Sequence, residues 1–266
     1  MRGLAASNFE LKDNGVTQPL ELVSAEALPL LAVLVFDMSN SVAGERLAAL
    51  RAASQAFLQS LRAHDEVALF TFADDVKWLT RPTTDKAAVH RALGQLQVAG
   101  GTSIVDALYA AVTLPSTQSR TLVVAFTDGE DNLSWLDWEQ IRVVAERSNA
   151  LIHVVGLKPR AAETLFAPGS DSEGRTQVAS GAPLEFEHTV ALRQIAEATG
   201  GRYWEAESPG GLRGAFAAIA EAMGQRYVLR YEPHQVKRLG WHKIQIRLRG
   251  HKGDVHARHG YWVADR

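Results

Sequence analysis

Residues 30–41 read LLAVLVFDMSNS, and this stretch decides the fold. Its apolar run, residues 31–36, has the length of a strand and is continuous rather than alternating. Continuous apolarity is typical of a strand buried on both faces, as in a parallel sheet covered by helices. Asp37, Ser39 and Ser41 follow at once, so the pattern also predicts polar side chains at the carboxyl end of this strand.

Strand-like and helix-like segments alternate downstream. Helices are predicted at 45–61, 85–96, 103–112, 138–147, 190–199 and 211–223, and strands at 66–72, 121–126, 151–157 and 202–204. Repeated strand–helix units predict an α/β fold with a doubly wound, mostly parallel, Rossmann-like sheet. Residues 76–80 follow a strand too closely for a crossover, so we expect them to return antiparallel at an edge. Residues 158–187, rich in Gly, Ser, Ala and Pro, predict a mobile surface loop.

The two ends of the chain look alike and differ from the middle. Two short strands, 8–12 and 20–23, flank the turn Asp13-Asn14-Gly15, and three more are predicted at 227–231, 243–249 and 255–261. Because neither set is large enough to be stable alone, we expect them to join in one small sheet. The predicted organisation is one small β subdomain from residues 1–27 and 226–266, with an α/β domain at 28–225.

The composition of the 266 residues excludes several functions. There is no cysteine, so disulfides, thiolate metal sites and a cysteine nucleophile are excluded. The formal charge is -2, which favours neither nucleic acid nor an anionic membrane surface. The longest apolar stretch, 28–36, is far shorter than the ~20 residues of a membrane helix, so no membrane insertion is expected. Residues 1–7 lack the apolar core of a signal peptide, which predicts a cytoplasmic protein or upstream sequence that is left out.

Polar side chains follow two of the predicted strands and precede one of the predicted helices. Asp37-Met38-Ser39-Asn40-Ser41 ends the first strand, Gly100-Gly101-Thr102 precedes a helix, and Thr127-Asp128-Gly129 ends another strand. In open parallel sheets, ligands bind beyond the carboxyl ends of the strands. We therefore expect five side chains to converge there: Asp37, Ser39, Ser41, Thr102 and Asp128.

These side chains are hard oxygen donors. Such a set suits Mg²⁺, Mn²⁺ or Ca²⁺ rather than zinc or copper. Two carboxylates are enough to neutralise a divalent ion, and the hydroxyls add no charge, so the ion keeps Lewis acidity for an outside carboxylate. Mg²⁺ takes about six oxygens, which leaves one or two positions for water or ligand.

The ordered motifs Asp-x-Ser-x-Ser, Gly-Gly-Thr and Thr-Asp-Gly resemble the metal-ion-dependent adhesion site of von Willebrand factor type A domains, and the resemblance spans about residues 30–224. It implies that Ser39, Ser41 and Thr102 bind the metal directly, that Asp37 and Asp128 act partly through water, and that an Asp or Glu of a partner protein completes the shell. It implies a protein-binding module for adhesion or assembly, not an enzyme, and leaves the oligomeric state open. Asn40 stands where many members carry Gly, and Asn tolerates a left-handed backbone.

The segments before and after residues 30–224 are similar to those of a bacterial group of these domains. Members of that group are often predicted to be exported, which implies a periplasmic or secreted location. Two other functions stay open. One is a metal-dependent phosphotransfer or hydrolytic enzyme, although the second Asp that dehalogenase-type folds need is Ser39 here. The other is a regulatory subunit of an ATPase complex.

Other conspicuous residues have ordinary interpretations. Near the motifs, Asp106, Glu130 and Asp131 are interpreted as solvated charges. The C-terminal histidines are interpreted as a solvated strand face, and they are His251, His256 and His259. Most of the tryptophans are expected to pack in the core or cover the junction between sheets, namely Trp135, Trp138, Trp204, Trp241 and Trp262.

Overall fold

The computed structural model describes residues 3–23, 28–114, 119–129, 131–158 and 187–265. The strands in these ranges are β1 (Phe9–Asp13), β2 (Val16–Gln18), β3 (Glu21–Val23), β4 (Leu30–Asp37), β5 (Glu66–Phe72), β6 (Val76–Thr83), β7 (Arg120–Thr127), β8 (Leu151–Leu157), β9 (Tyr203–Ala206), β10 (Val228–Arg230), β11 (Gly240–Leu248) and β12 (Gly260–Val263). The helices are α1 (Glu45–Ser60), α2 (Lys86–Gly94), α3 (Ile104–Val112), α4 (Trp138–Arg147), α5 (Glu187–Ala198) and α6 (Leu212–Gly224).

A six-stranded sheet in the order β6-β5-β4-β7-β8-β9 forms the centre of the molecule. β4 lies between β5 and β7 and pairs with both in parallel, and every residue of β4 is buried. The continuous apolar run therefore reflects a strand covered on both faces. β6 pairs antiparallel with β5 at the edge, as its short connection predicts.

Helices cover both faces of this sheet. Alternate residues of β4 point to opposite sides, so Leu34 and Phe36 pack in one apolar cluster with α1 and α6, whereas Val33 and Val35 pack in another with α3, α4 and α5. The predicted α/β, doubly wound, mostly parallel fold is confirmed. Most of the loop predicted at 158–187 lies outside the described residues.

The terminal strands form two sheets rather than the single one expected. A four-stranded sheet has the order β12-β11-β1-β2, and β3 pairs separately with β10. The predicted hairpin turn is present, with Asn14 and Gly15 at positive φ. Pro19, which has no N–H to donate, follows β2, and the next strand, β3, pairs elsewhere. The domain boundaries at residues 27 and 225 stay a prediction.

The strand predicted at 255–261 is wrong, because the ladder begins only at Gly260. The backbone N–H of His259 donates to Ala198 O, beyond the sheet. The guanidinium group of Arg258 donates to Glu146 O and Ser148 O at the end of α4. Contacts with α4 and α5 therefore outweigh the alternation of apolar and polar residues in this segment.

No helix in the described ranges is both long and apolar enough to cross a bilayer.

Candidate metal centre

The three predicted motifs meet at the topological switch point of the central sheet. From β4 the chain first builds the sheet on one side, with β5 and β6, and then on the other, with β7, β8 and β9. Such a reversal opens a crevice between the carboxyl ends of β4 and β7. Asp37 is the last residue of β4, and Asp128 comes directly after β7.

Asp37 is fully buried and organises the loop that follows it. Its Oδ1 accepts a hydrogen bond of 2.8 Å from the Ser39 backbone N–H, and its Oδ2 accepts one of 2.7 Å from Thr127 Oγ1. Burial raises the pKa of this carboxyl to about 6, and the charge of Asp128 acts in the same direction, while the hydrogen bonds from Ser39 and Thr127 oppose it. A cation beside Asp37 would favour its ionised form.

The two serine hydroxyls connect the first motif to the last. Ser39 Oγ and Ser41 Oγ are 3.0 Å apart, and Ser41 Oγ donates a hydrogen bond of 2.6 Å to Asp128 Oδ1. These oxygens therefore form a continuous chain across the crevice between β4 and β7.

Arg46 is a member of this site that the sequence reasoning missed. Its Nη1 forms an ion pair with Asp128 Oδ2, and the side chains are only 2% and 0% exposed. The helical period of α1 could have indicated that Arg46 is buried, because Arg46 lies on the same face of the helix as Leu50, Ala53 and Phe57. A basic residue on an apolar stripe needs a buried partner, and Asp128 is that partner.

Thr102 faces the same space. A Cβ at Gly129 would stand 3.6 Å from Thr102 Oγ1 and 3.9 Å from Ser41 Oγ. The Thr102 backbone N–H donates to Asn132 Oδ1, and Thr102 O accepts from the N–H groups of Asn132 and Leu133. The segment after Asp128 therefore holds the Gly-Gly-Thr loop in place.

The two glycines of that loop are required by close packing. Gly100 has φ +80°, and a Cβ there would collide with the carboxylate of Asp74, which also accepts the Gly101 N–H at 2.7 Å. A Cβ at Gly101 would stand 2.8 Å from Asn132 Oδ1 and 2.7 Å from a Leu133 methyl carbon. Larger residues would require Asp74, Asn132 or Leu133 to move, and Asp74 and Asn132 hold the loop by hydrogen bonds to the backbone of Gly101 and Thr102.

The donor set fits a hard divalent cation. The structure brings all five predicted side chains together, and each contributes oxygen only. In an octahedral Mg²⁺ shell with bonds of about 2.1 Å, neighbouring oxygens are about 3 Å apart. The distances from Ser39 Oγ to Ser41 Oγ, 3.0 Å, and from Ser41 Oγ to Asp128 Oδ1, 2.6 Å, are close to this value. Ser103 Oγ, next to Thr102, is buried without a hydrogen-bond partner among the described residues. Within those ranges no group of three or more His, Asp or Glu side chains could hold a metal, so the candidate rests on hydroxyl and carboxylate oxygens.

Two acidic residues near the motifs shape loops, so the interpretation of Asp106 and Asp131 as solvated charges is wrong. Asp106 accepts the backbone N–H groups of Trp135 and Leu136, and Asp131 accepts the N–H of Val105 and the hydroxyl of Ser134. Glu130 lies outside the described residues.

Asn40 is not among the described residues with positive φ and begins a short 3₁₀ helix, so no left-handed backbone is needed there.

The aromatic and histidine predictions are correct in part. Trp138 and Trp204 pack against the two core clusters, but Trp135 is 96% exposed, on the loop beside the Thr102 loop. Trp241 and Trp262 form a half-exposed cross-strand pair with Arg147 over one ring. The three C-terminal histidines are exposed, but they lie outside strands.

The fold is similar to that of von Willebrand factor type A domains. The family model for the von Willebrand factor type A domain matches residues 32–130, which include all five site residues. The chain is also 25% identical over 245 residues to a UPF0353 protein from Mycolicibacterium paratuberculosis, a match that covers 85% of this chain and 70% of that protein.

Solved structures share the fold at low sequence identity. A von Willebrand factor type A protein from Catenulispora acidiphila superposes with a TM-score of 0.57 at 17% identity, over 83% of this chain and 47% of the other. This chain thus spans about half the length of that structure. The von Willebrand factor domain of the type V pili tip protein Mfa5 from Porphyromonas gingivalis gives a TM-score of 0.56 at 15% identity, over 79% of this chain and 99% of that one.

Proposed function

We propose that this protein is a metal-dependent protein-binding module for adhesion or assembly. In this proposal Asp37, Ser39, Ser41, Thr102 and Asp128 hold one Mg²⁺, Mn²⁺ or Ca²⁺, which captures an Asp or Glu side chain of a partner protein. The observation that carries it is the convergence of these five oxygen donors at the switch point of the sheet.

The charges of the site support an acidic ligand. Asp37 and Asp128 supply two negative charges, Arg46 supplies one positive charge, and a divalent ion adds two more. The loaded site then has a net charge of about +1 in a largely buried setting, where a charge is costly unless it is paired. A carboxylate from outside neutralises that charge, whereas a water molecule does not.

The surroundings of the crevice support a protein as the source of that carboxylate. Leu133 and Trp135, in the segment that packs against the Thr102 loop, are 44% and 96% exposed. Exposed aromatic and aliphatic side chains are common at protein interfaces. One domain with the same fold belongs to a protein that is named as the tip protein of a type V pilus.

Metal binding is tested by calorimetry with Mg²⁺ and Mn²⁺. We expect one ion per chain and a loss of at least about tenfold in affinity for Asp37→Ala and Asp128→Ala. Asp75→Ala is the matched control, because its carboxylate is exposed and lies outside the crevice. Equal effects of the three substitutions, or no binding by the parent protein, would refute the site.

Partner capture is tested with immobilised protein and an extract of the source organism, in Mg²⁺ and in chelator. We expect a protein that is retained only with metal and is lost with Thr102→Ala. Thr113→Ala, an exposed threonine at the end of α3, should retain it. Metal-dependent turnover of phosphate esters that Asp37→Ala abolishes, without any retained protein, would replace the proposal with the enzyme alternative.

A further inference from the structure

A cavity of about 950 Å³ lies between the central sheet and the terminal sheet. It is bounded by the amino-terminal parts of β7 and β8, the end of α6 and the inner face of β11. The candidate metal centre lies at the carboxyl ends of β4 and β7, so the cavity is at the opposite end of the parallel sheet. Its volume is in the range of small-molecule binding sites in proteins.

The two walls of the cavity differ in chemistry. The wall made by the terminal sheet is apolar, because Leu11 in β1 and Ile244, Ile246 and Leu248 in β11 point inward at alternate positions. The facing wall carries basic side chains: Arg120, His153, Arg202 and Arg226. One side therefore suits a hydrocarbon body, and the other suits an anion.

His153 lines this space and carries an unsatisfied donor. The side chain is 3% exposed, and its Nδ1 accepts hydrogen bonds from the Arg202 backbone N–H and from Trp204 Nε1, both at 3.1 Å. Burial and then the charge of Arg226 lower the pKa of His153 to about 4, so the ring is neutral at pH 7. Because Nδ1 accepts, the ring proton is on Nε2, and Nε2 is buried with no partner among the described residues. A buried N–H without an acceptor is costly and favours a ligand oxygen.

Arg226 supplies the charge beside it. Its guanidinium donates a 3.5 Å hydrogen bond to Gly200 O, and the charged group that acts on it is Arg120, which repels it. Burial and the repulsion from Arg120 lower the pKa of Arg226 to about 10, which leaves it charged at pH 7. Arg120 Nε is also buried without a hydrogen-bond partner in the described ranges. Two arginines that repel each other in a partly buried wall are stabilised by an anion between them.

Asp65 is an acidic neighbour of Arg120, but the acidic residues that line the cavity leave Arg226 uncompensated. Glu221 and Asp254 are both exposed, and Glu221 accepts a hydrogen bond from Gln225. Arg258 also lines the cavity, but its N–H groups bind Asn149 and backbone carbonyls. The Arg258 side chain caps the C-terminal end of α4, so it is not available to a ligand.

We propose that this cavity binds a small amphiphilic anion, with its carboxylate or phosphate group at Arg226 and His153 Nε2–H and its hydrocarbon chain against the inner face of β11. Carboxylate and phosphate share the required chemistry, namely negatively charged oxygens that accept from both donors.

Calorimetry in the presence of a chelator tests this site independently of the metal centre. The probes are decanoate, decyl phosphate, decanol and decyltrimethylammonium, which share one chain length and differ in the headgroup. We expect saturable one-to-one binding of at least one anion, at least about tenfold tighter than decanol, with the cationic probe weakest. Comparison of the two anions identifies the preferred headgroup. Equal binding of decanol and both anions, or no saturable binding, would overturn the proposal.

Variants of the basic wall provide the second test. Arg226→Gln should weaken anion binding at least about tenfold, Arg226→Lys should weaken it less because the charge stays, and the exposed Arg230→Gln should leave it unchanged. His153→Leu, which removes the Nε2–H donor, serves if Arg226→Gln does not fold. The proposal fails if the folded Arg226→Gln or His153→Leu protein binds the anion as tightly as the parent.

Discussion

Arg46 shows how one residue sets the charge of the candidate metal centre. Without it, two carboxylates would cancel a divalent ion and leave a neutral site. With its guanidinium group on Asp128, one carboxylate is already compensated. A cation at the proposed site would share Asp128 with Arg46, and the site would then favour an additional anionic ligand.

A second buried residue, His153, makes stability depend on pH. Its pKa is about 4 in the folded protein and about 6.5 in the unfolded chain, so the unfolded chain binds the proton first as the pH falls. The stability that the neutral ring provides is full above about pH 6.5 and decreases by about 3 kcal/mol as the pH falls to about 4.

Urea unfolding across this pH range measures the effect. We expect His153→Gln to reduce the slope of unfolding free energy against pH by about one proton, because the titrating ring is gone. His251→Gln removes an exposed histidine and should leave the slope unchanged. The same slope in both variants would contradict the assignment of the shifted pKa to His153.

At the scale of elements, the loop before α3 is defined by packing as much as by its motif. Gly100 needs positive φ and lies against Asp74, which is in the turn between β5 and β6. The Gly-Gly-Thr sequence predicts a loop next to the crevice, but it does not show what the glycines contact. Those contacts come from parts of the chain far away in sequence.

We expect Gly100→Ala to destabilise the protein by about 1–3 kcal/mol, because it adds both a left-handed alanine and a collision with Asp74. Metal affinity should fall as well, since the loop carries Thr102. Gly214→Ala in α6 is the control, because a Cβ there has nothing within 4 Å, and it should stabilise by about 0.5–1 kcal/mol. Thermal unfolding and calorimetry of both variants test this, and a stable Gly100→Ala protein with normal metal affinity would count against it.

At the scale of the whole molecule, Asp13 joins both ends of the chain. This buried carboxylate lies 2.9 Å from His242 Nδ1 in β11 and accepts hydrogen bonds from the hydroxyls of Tyr231 and Tyr261. Its partners come from three separate C-terminal segments. The carboxylate therefore holds together strands that the two chain ends contribute.

Asp13→Ala should lower the free energy of unfolding by about 2–4 kcal/mol, because it leaves a buried imidazole and two hydroxyls without their acceptor. Glu10→Ala, on the same strand, removes surface ion pairs with Arg249 and Lys12 and should lower the free energy of unfolding much less. Hydrogen exchange should show the lost protection in β1 and β11 before β4. Similar losses for the two variants would show that the cluster is not what joins the ends.

The sequence alone was sufficient to predict the central sheet, several element boundaries and the convergence of the five candidate residues. These features follow from local signals: continuous apolar runs, helical periods and polar motifs directly after strands. The prediction for α4 matches Trp138–Arg147, and the one for β8 matches Leu151–Leu157. Each of these segments carries its own hydrophobic pattern, so no distant contact is needed to predict it.

The pairing of the terminal strands, the start of β12 and the contacts of Arg46, Asp13 and His153 could be read only from the folded structure. Residues 255–259 alternate like a strand but bind the ends of helices instead, and Arg46 looks like an ordinary helix residue until Asp128 is placed beside it. The physical reason is that burial in a low-dielectric interior makes a polar group depend on its partner, and these partners lie about 50 to 250 positions away in sequence. Local sequence patterns do not predict such distant pairs.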